Sequence, residues 1–201
     1  RVMNPAQPDL PNPLSRRHFL GTSGKAAIGG ALAGMILPTV YGQSGSTKKI
    51  ALIGCGGRGT GAVANAIDAS GPYCQLKLHA MADVFEWRVK NSYKGLEQRY
   101  KDNLDVPEDR QFVGFNGFKK AMDCLDPGDI AIFASPCAFR RPHYEYAIQK
   151  KLNVFMEKPV TPDGPSSKKI LSVNEEAKKL NLKVGVGLMC RHSEARIELK
   201  D

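Results

Sequence analysis

Residues 48–60 read KKIALIGCGGRGT, and the fold turns on how that stretch is parsed. Ile50, Ala51, Leu52 and Ile53 form a short apolar run with no polar alternation. That is the pattern of a parallel strand buried on both faces. Gly54, Gly56 and Gly59 follow as G-x-G-x-x-G, and Val63, Ala66 and Ile67 then recur at helical spacing. Strand, glycine turn and helix in that order build a pyrophosphate site. Gly54 lets the chain leave the strand sharply, Gly56 lets backbone approach the anion, and Gly59 lets the helix pack closely. Gly57 and Arg58 complete the loop. The helix start offers free N–H groups and a positive dipole end, and Arg58 adds a full charge.

A glycine triplet is a weak signal in 201 residues that include 20 glycines, so context decides. A second apolar run, 76–82, ends at Asp83, at the spacing expected for an acid that holds a ribose. Its carboxylate can accept both ribose hydroxyls and would repel a 2′-phosphate. NAD is therefore the expected cofactor. NADP is the alternative, and it would need Arg58 or Arg88 at the phosphate. A helix N-cap is the structural role open to Asp83.

The rest of the chain alternates strand and helix. Strands are predicted at 75–82, 111–114, 130–134, 153–156 and 183–188. Helices are predicted at 58–69, 86–100, 143–150 and 166–180, with one more through Phe118, Ala121, Met122 and Leu125. Tyr144, Ala147 and Ile148 should face inward on one of them, and Ile170, Val173, Ala177 and Leu180 on another. Repeated β-α units predict an α/β fold, a doubly wound parallel sheet with right-handed crossovers. Ligands of such sheets sit at the carboxyl ends of the strands. Four ends carry chemistry here: the glycine loop, Asp83, Ser135-Pro136 and Glu157-Lys158-Pro159. Ser135 and Pro136 should lie along the cofactor. An ammonium at Lys158 can donate to a substrate oxygen and share in its proton transfer; a surface lysine is the other reading.

Charge adds little. The net charge is +9, split as +3 over residues 1–42 and +6 over the remainder. The pairs Lys119/Lys120, Arg140/Arg141, Lys168/Lys169 and Lys178/Lys179 read as solvated helix faces or loops. With no arginine-rich tract and no interleaved aromatic stripe, nucleic acid is not an expected partner. Cys55, Cys74, Cys124, Cys137 and Cys190 make an odd count without C-x-x-C, so neither a disulfide framework nor a metal site is expected. Each reads as a small, mostly buried apolar residue, with Cys137 notable for its place beside Ser135-Pro136.

Residues 1–42 read as a targeting segment rather than as fold. Ser15-Arg16-Arg17-His18-Phe19-Leu20 matches the twin-arginine pattern S-R-R-x-F-L, and a glycine- and alanine-rich stretch follows at 26–40. That stretch is too short and too weakly apolar for a membrane span. A linker at 43–47 then leads to a dinucleotide-binding domain at 48–190, and 191–201 read as the start of a further domain. The twin-arginine export machinery becomes an expected partner. The expected location is periplasmic or otherwise outside the cytoplasm, with a membrane tether if the signal stays uncleaved.

With these residues assembled, the chain resembles the glucose–fructose oxidoreductase, inositol dehydrogenase and rhizopine-catabolism (Gfo/Idh/MocA) family. The likeness runs through residues 48–59, Asp83, Ser135-Pro136 with His143, and the run Asn153-Val154-Phe155-Met156-Glu157-Lys158-Pro159-Val160, which looks like the family's E-K-P motif. The resemblance implies a Rossmann domain and a nicotinamide-dependent oxidoreductase acting on a sugar, cyclitol or derivative. It implies that Lys158 is the active-site lysine and that Glu157 sits beside the cofactor. Arg191-His192 would lie near nicotinamide or substrate. It also implies a homo-oligomer when full length, and a second α/β domain whose histidine completes the site. Of the four histidines, His18 falls in the targeting segment, His79 reads as a strand-core residue, and neither His143 nor His192 occupies the second-domain position. The chain is thus expected to hold cofactor while lacking part of the catalytic set. Export in the folded state would favour a tightly held nicotinamide recycled between two substrates. An NAD-dependent glycosidase and a non-catalytic ligand-binding relative stand as alternatives.

Overall fold

A computed structural model describes residues 46–71 and 74–199. The twin-arginine stretch and the segment behind it lie outside the described residues. Six parallel strands form one sheet: β1 (Ser46–Ile53), β2 (Cys74–Asp83), β3 (Gln111–Val113), β4 (Ile130–Phe133), β5 (Asn153–Glu157) and β6 (Val184–Gly187). Their order is β3-β2-β1-β4-β5-β6. The chain winds outward one way from β1, returns across it, and winds the other way, which is the Rossmann arrangement. Helices α1 (Gly57–Asp68), α2 (Glu86–Tyr100), α3 (Gly117–Asp123), α4 (Arg140–Gln149) and α5 (Gly164–Lys179) supply the crossovers, and a short α6 (Glu194–Glu198) follows β6.

Strand β1 shows why its apolar run is unbroken. Ile50 and Leu52 point into one core with Val63 and Ile67 of α1 and Val89 and Leu96 of α2. Ala51 and Ile53 point into the other, with Met122 of α3, Tyr144 and Ala147 of α4, and Ile170 and Ala177 of α5. Both faces are covered, so a polar residue at any of the four positions would lose its water without gaining a partner. Helix α5 starts cleanly because the Asp163 carboxylate caps it, accepting from Ser166 N at 2.7 Å, with Pro165 in the first turn.

Three sequence expectations fail in the fold, two of them for a local reason that the structure shows. His79 is not in an apolar core. The register between β1 and β2 shifts between Ile50 and Ala51, leaving His79 as the extra residue of a bulge. A bulge re-aims its side chain, and the His79 ring meets Asp105, 2.8 Å from Nδ1, and Arg110. Leu180 is 46 % exposed, because it lies at the C-cap of α5, beyond the turns that pack. Of the cysteines only Cys55 is buried, and Cys190 is exposed.

Candidate active site

The glycine turn is held open by backbone geometry. Gly54 sits at φ +99°, and a Cβ there would stand 2.5 Å from Ser135 N. A Cβ at Gly59 would stand 2.0 Å from Gly54 O. These two positions are required by the fold itself. Gly56 differs: a Cβ there would meet nothing within 4 Å. It is the N-cap of α1, whose first turn carries no acidic residue. The free N–H groups and positive dipole end of α1 thus face open space at a residue without a side chain, which is what an incoming pyrophosphate requires.

Asp83 closes the turn from the end of β2. It is 8 % exposed. One carboxylate oxygen accepts from Cys55 N at 2.8 Å and the other from Phe85 N at 3.0 Å. Phe85, not Asp83, is the N-cap of α2. Asp83 is therefore a brace between the glycine loop and the next turn. A carboxylate has about four acceptor positions, so two remain for ribose hydroxyls. Cys55 packs beneath it, and burial pushes its thiol far up, so this cysteine stays a neutral apolar filler.

Beside the turn lies a cavity of about 500 Å³ across the ends of β1 to β4. Gly54, Gly56, Asp83, Ser135 and Pro136 line it, as does Arg88, a residue that a 2′-phosphate would need; Phe85, Phe115 and Phe139 line it too, and nothing in the sequence singles those three out. Aromatic walls and a guanidinium suit a flat, polar-edged base such as adenine. Ser135 Oγ lies 3.1 Å from His143 Nδ1. His143 is 7 % exposed and its ring packs on Phe118, Phe133 and Phe139.

That packing has a pH consequence. Burial, with Arg140 adding to it, pushes the His143 pKa from 6.5 to about 4. The unfolded chain binds a proton below about pH 6.5 and the folded chain does not until about pH 4. Stability should therefore fall as the pH drops through that window, by about 3 kcal/mol in all. Urea unfolding at pH 7 and pH 4 should show that loss in the native chain and not in His143→Gln. Equal pH slopes in the two proteins would contradict it.

Glu157 and Lys158 stand one strand further along, outside the cavity. Glu157 is buried, and its Oε1 meets Arg58 Nη2 at 2.6 Å across the mouth of the glycine loop. Its carboxylate rests on Gly187 of β6, where a Cβ would stand 2.8 Å from Oε2. Lys158 is exposed and precedes Pro159 through a cis peptide. Gly57 is the exposed first residue of α1, and Arg191 is exposed in the turn after β6. The His192 side chain lies outside the described residues.

Arg140 is the residue that sequence reasoning missed. It does not sit on a solvated face: it is 1 % exposed. Its Nη2 donates to Ser135 O at 2.7 Å and its Nη1 donates to Glu157 O. One signal could have marked it. A basic residue in the first turn of a helix opposes the dipole, so it needs a reason to be there.

Among solved structures, the fold is similar to myo-inositol 2-dehydrogenase from Lactobacillus plantarum, with TM-score 0.58 and 19 % identity over 77 % of this chain and 40 % of that one. It is similar to scyllo-inositol dehydrogenase from Lactobacillus casei with bound NAD(H) and scyllo-inositol, with TM-score 0.56 and 22 % identity over 77 % of this chain and 40 % of that one. It is also similar to aldose-aldose oxidoreductase from Caulobacter crescentus complexed with glycerol, with TM-score 0.54 and 19 % identity over 76 % of this chain and 41 % of that one. The chain spans about two fifths of the length of these proteins. No protein-family model and no curated protein matches the sequence. At such identities the likeness is one of fold.

Proposed function

We propose that this chain is the nucleotide-binding part of an NAD-dependent oxidoreductase of the Gfo/Idh/MocA type, acting on a sugar, cyclitol or derivative. One observation carries the reading. The glycine turn, the Asp83 brace and the Glu157-Lys158 step stand at the same end of one sheet, with Arg58 joining the first to the last at 2.6 Å. The solved structures of similar fold named above include inositol dehydrogenases, one of them with bound NAD(H) and scyllo-inositol. Export by the twin-arginine route, assembly into a homo-oligomer and completion of the site by a histidine of a second domain belong to the same proposal.

The residues present fit a dinucleotide. Gly56 and the start of α1 would hold the pyrophosphate. Asp83 would hold the adenosine ribose, and the walls of the 500 Å³ cavity would hold the base. When bound, the nicotinamide supplies the hydride chemistry. Lys158 would donate from its ammonium to the substrate hydroxyl oxygen and stabilise the charge that develops as the hydroxyl proton passes to the histidine proposed for the second domain. Glu157, fixed between Arg58 and Gly187, would keep the adjoining peptide in place.

Calorimetric titration of the chain with NAD⁺ tests the reading, with saturable one-to-one binding expected. Asp83→Ala should weaken binding by roughly ten- to a hundredfold, since it removes charge-assisted bonds to ribose and frees Cys55 N and Phe85 N. Tighter binding of NADP⁺ than NAD⁺ by the unmodified chain would remove the cofactor assignment. No binding of either would remove the function.

A further inference from the structure

Arg140 occupies a costly position. Its guanidinium is almost fully buried and faces only neutral acceptors, and its Nε has no partner. The Glu157 carboxylate pairs directly with Arg58 instead, and its charge offsets only part of what burial costs Arg140, whose pKa burial holds below the usual guanidinium range. Arg140 also sits in the first turn of α4, where the helix dipole is unfavourable to a cation. An apolar side chain of similar volume would satisfy stability more cheaply. Stability alone is therefore a poor reason for an arginine here.

What only a guanidinium supplies is a rigid planar fork that reaches two acceptors at once. The two acceptors are informative. Ser135 O belongs to the turn leaving β4, whose side chains line the cavity. Glu157 O belongs to the last residue of β5. That carbonyl and the Lys158 N–H share one planar peptide unit. Fixing the carbonyl fixes the plane from which the Lys158 side chain springs.

We propose that Arg140 is a positioning residue: its fork locks the ends of β4 and β5 together and so sets where Lys158 stands relative to the bound cofactor. The proposal rests on the role given to Lys158 above. Arg140 touches neither substrate nor cofactor and acts through the Glu157–Lys158 peptide. Arg58 grips the same residue by its carboxylate, so Glu157 is held at both its backbone and its side chain.

The test uses the full chain, unmodified and as Arg140→Lys and Arg140→Met. Arg140→Lys keeps the charge but loses the fork, so it can reach only one of the two carbonyls at a time. Hydrogen exchange should quicken by about tenfold or more at 134–138 and 157–160 together in both variants, while β1 and β2 keep their protection. The second readout is the NMR signal of Lys158 after ¹³C-methylation of the lysines, assigned by its loss in Lys158→Arg. Adding NADH should shift that signal in the native chain, and both variants should lose most of the shift while NADH affinity stays within about threefold. A purely structural role would lower the melting temperature and leave the shift intact. Unchanged exchange at the two segments, or an unchanged Lys158 shift, would overturn the proposal. If Arg140→Met fails to fold, Arg140→Lys decides alone. If NADH does not bind the native chain, the function proposed above falls, and the exchange readout still decides whether Arg140 couples the two strand ends.

Discussion

If the chain works in the oxidoreductase proposed above, Lys158→Ala should lower that protein's turnover by roughly 10²–10⁴, the range for a positioned acid–base group, equivalent to about 3–5 kcal/mol of transition-state stabilisation. The expectation comes from where the ammonium is anchored. Lys158 is exposed, yet the residue before it is buried and gripped by two guanidinium groups. An exposed side chain on a fixed peptide is what a group needs in order to meet a substrate repeatedly in one geometry. Hydride loss from a carbinol carbon requires its hydroxyl proton to leave, and an ammonium at that oxygen stabilises the developing charge. Dinucleotide affinity should change little, since Gly56, Asp83 and the cavity walls stand elsewhere. Lys158→Arg should not rescue turnover, because the planar guanidinium is larger and cannot set one compact ammonium against that oxygen. Turnover measured beside cofactor affinity separates these effects. Near-normal turnover in the alanine variant would return Lys158 to the role of a surface lysine.

The sheet was readable from sequence for a physical reason. Parallel strands buried on both faces are written as apolar runs, and Ile50 to Ile53, Ile130 to Phe133 and Val154 to Met156 each show one. Asp83 and the glycine turn were readable because their spacing is fixed by one β-α-β unit. What escaped depends on contacts between distant segments. Arg140 looked like half of a solvated pair because its two acceptors, Ser135 O and Glu157 O, come from turns that the fold brings together. His79 looked like a core residue because strand alternation contains no sign of a bulge, and the bulge exists only against the register of β1. The aromatic walls Phe115 and Phe139 follow no period. They lie in turns, where side-chain direction is set by the strand ends rather than by the residues themselves.

Gly59→Ala should destabilise the fold by about 3 kcal/mol or more, the upper end for overpacking, with a melting temperature lower by roughly 10 °C. The new methyl would stand 2.0 Å from Gly54 O and 3.1 Å from both Ala134 Cβ and Leu52 Cδ1. None of these can give way easily. Gly54 is pinned by its N–H to Ala82 O at 2.8 Å and stands where even a Cβ of its own would come within 2.5 Å of Ser135 N. The clash could be relieved only by lifting α1 off β1, which would open the core around Val63 and Ile67. Gly56→Ala provides the contrast. A Cβ there meets nothing within 4 Å, so stability should change by less than about 1 kcal/mol. The methyl would nonetheless stand where a pyrophosphate must approach the backbone, and NAD⁺ affinity should fall by about tenfold or more. Thermal melts and NAD⁺ titrations of the two variants separate a glycine required by the fold from one required by its ligand. If Gly56→Ala binds NAD⁺ as the native chain does, the pyrophosphate does not lie against that turn. If Gly59→Ala melts with the native chain, α1 is not held against β1 by the close approach at that position.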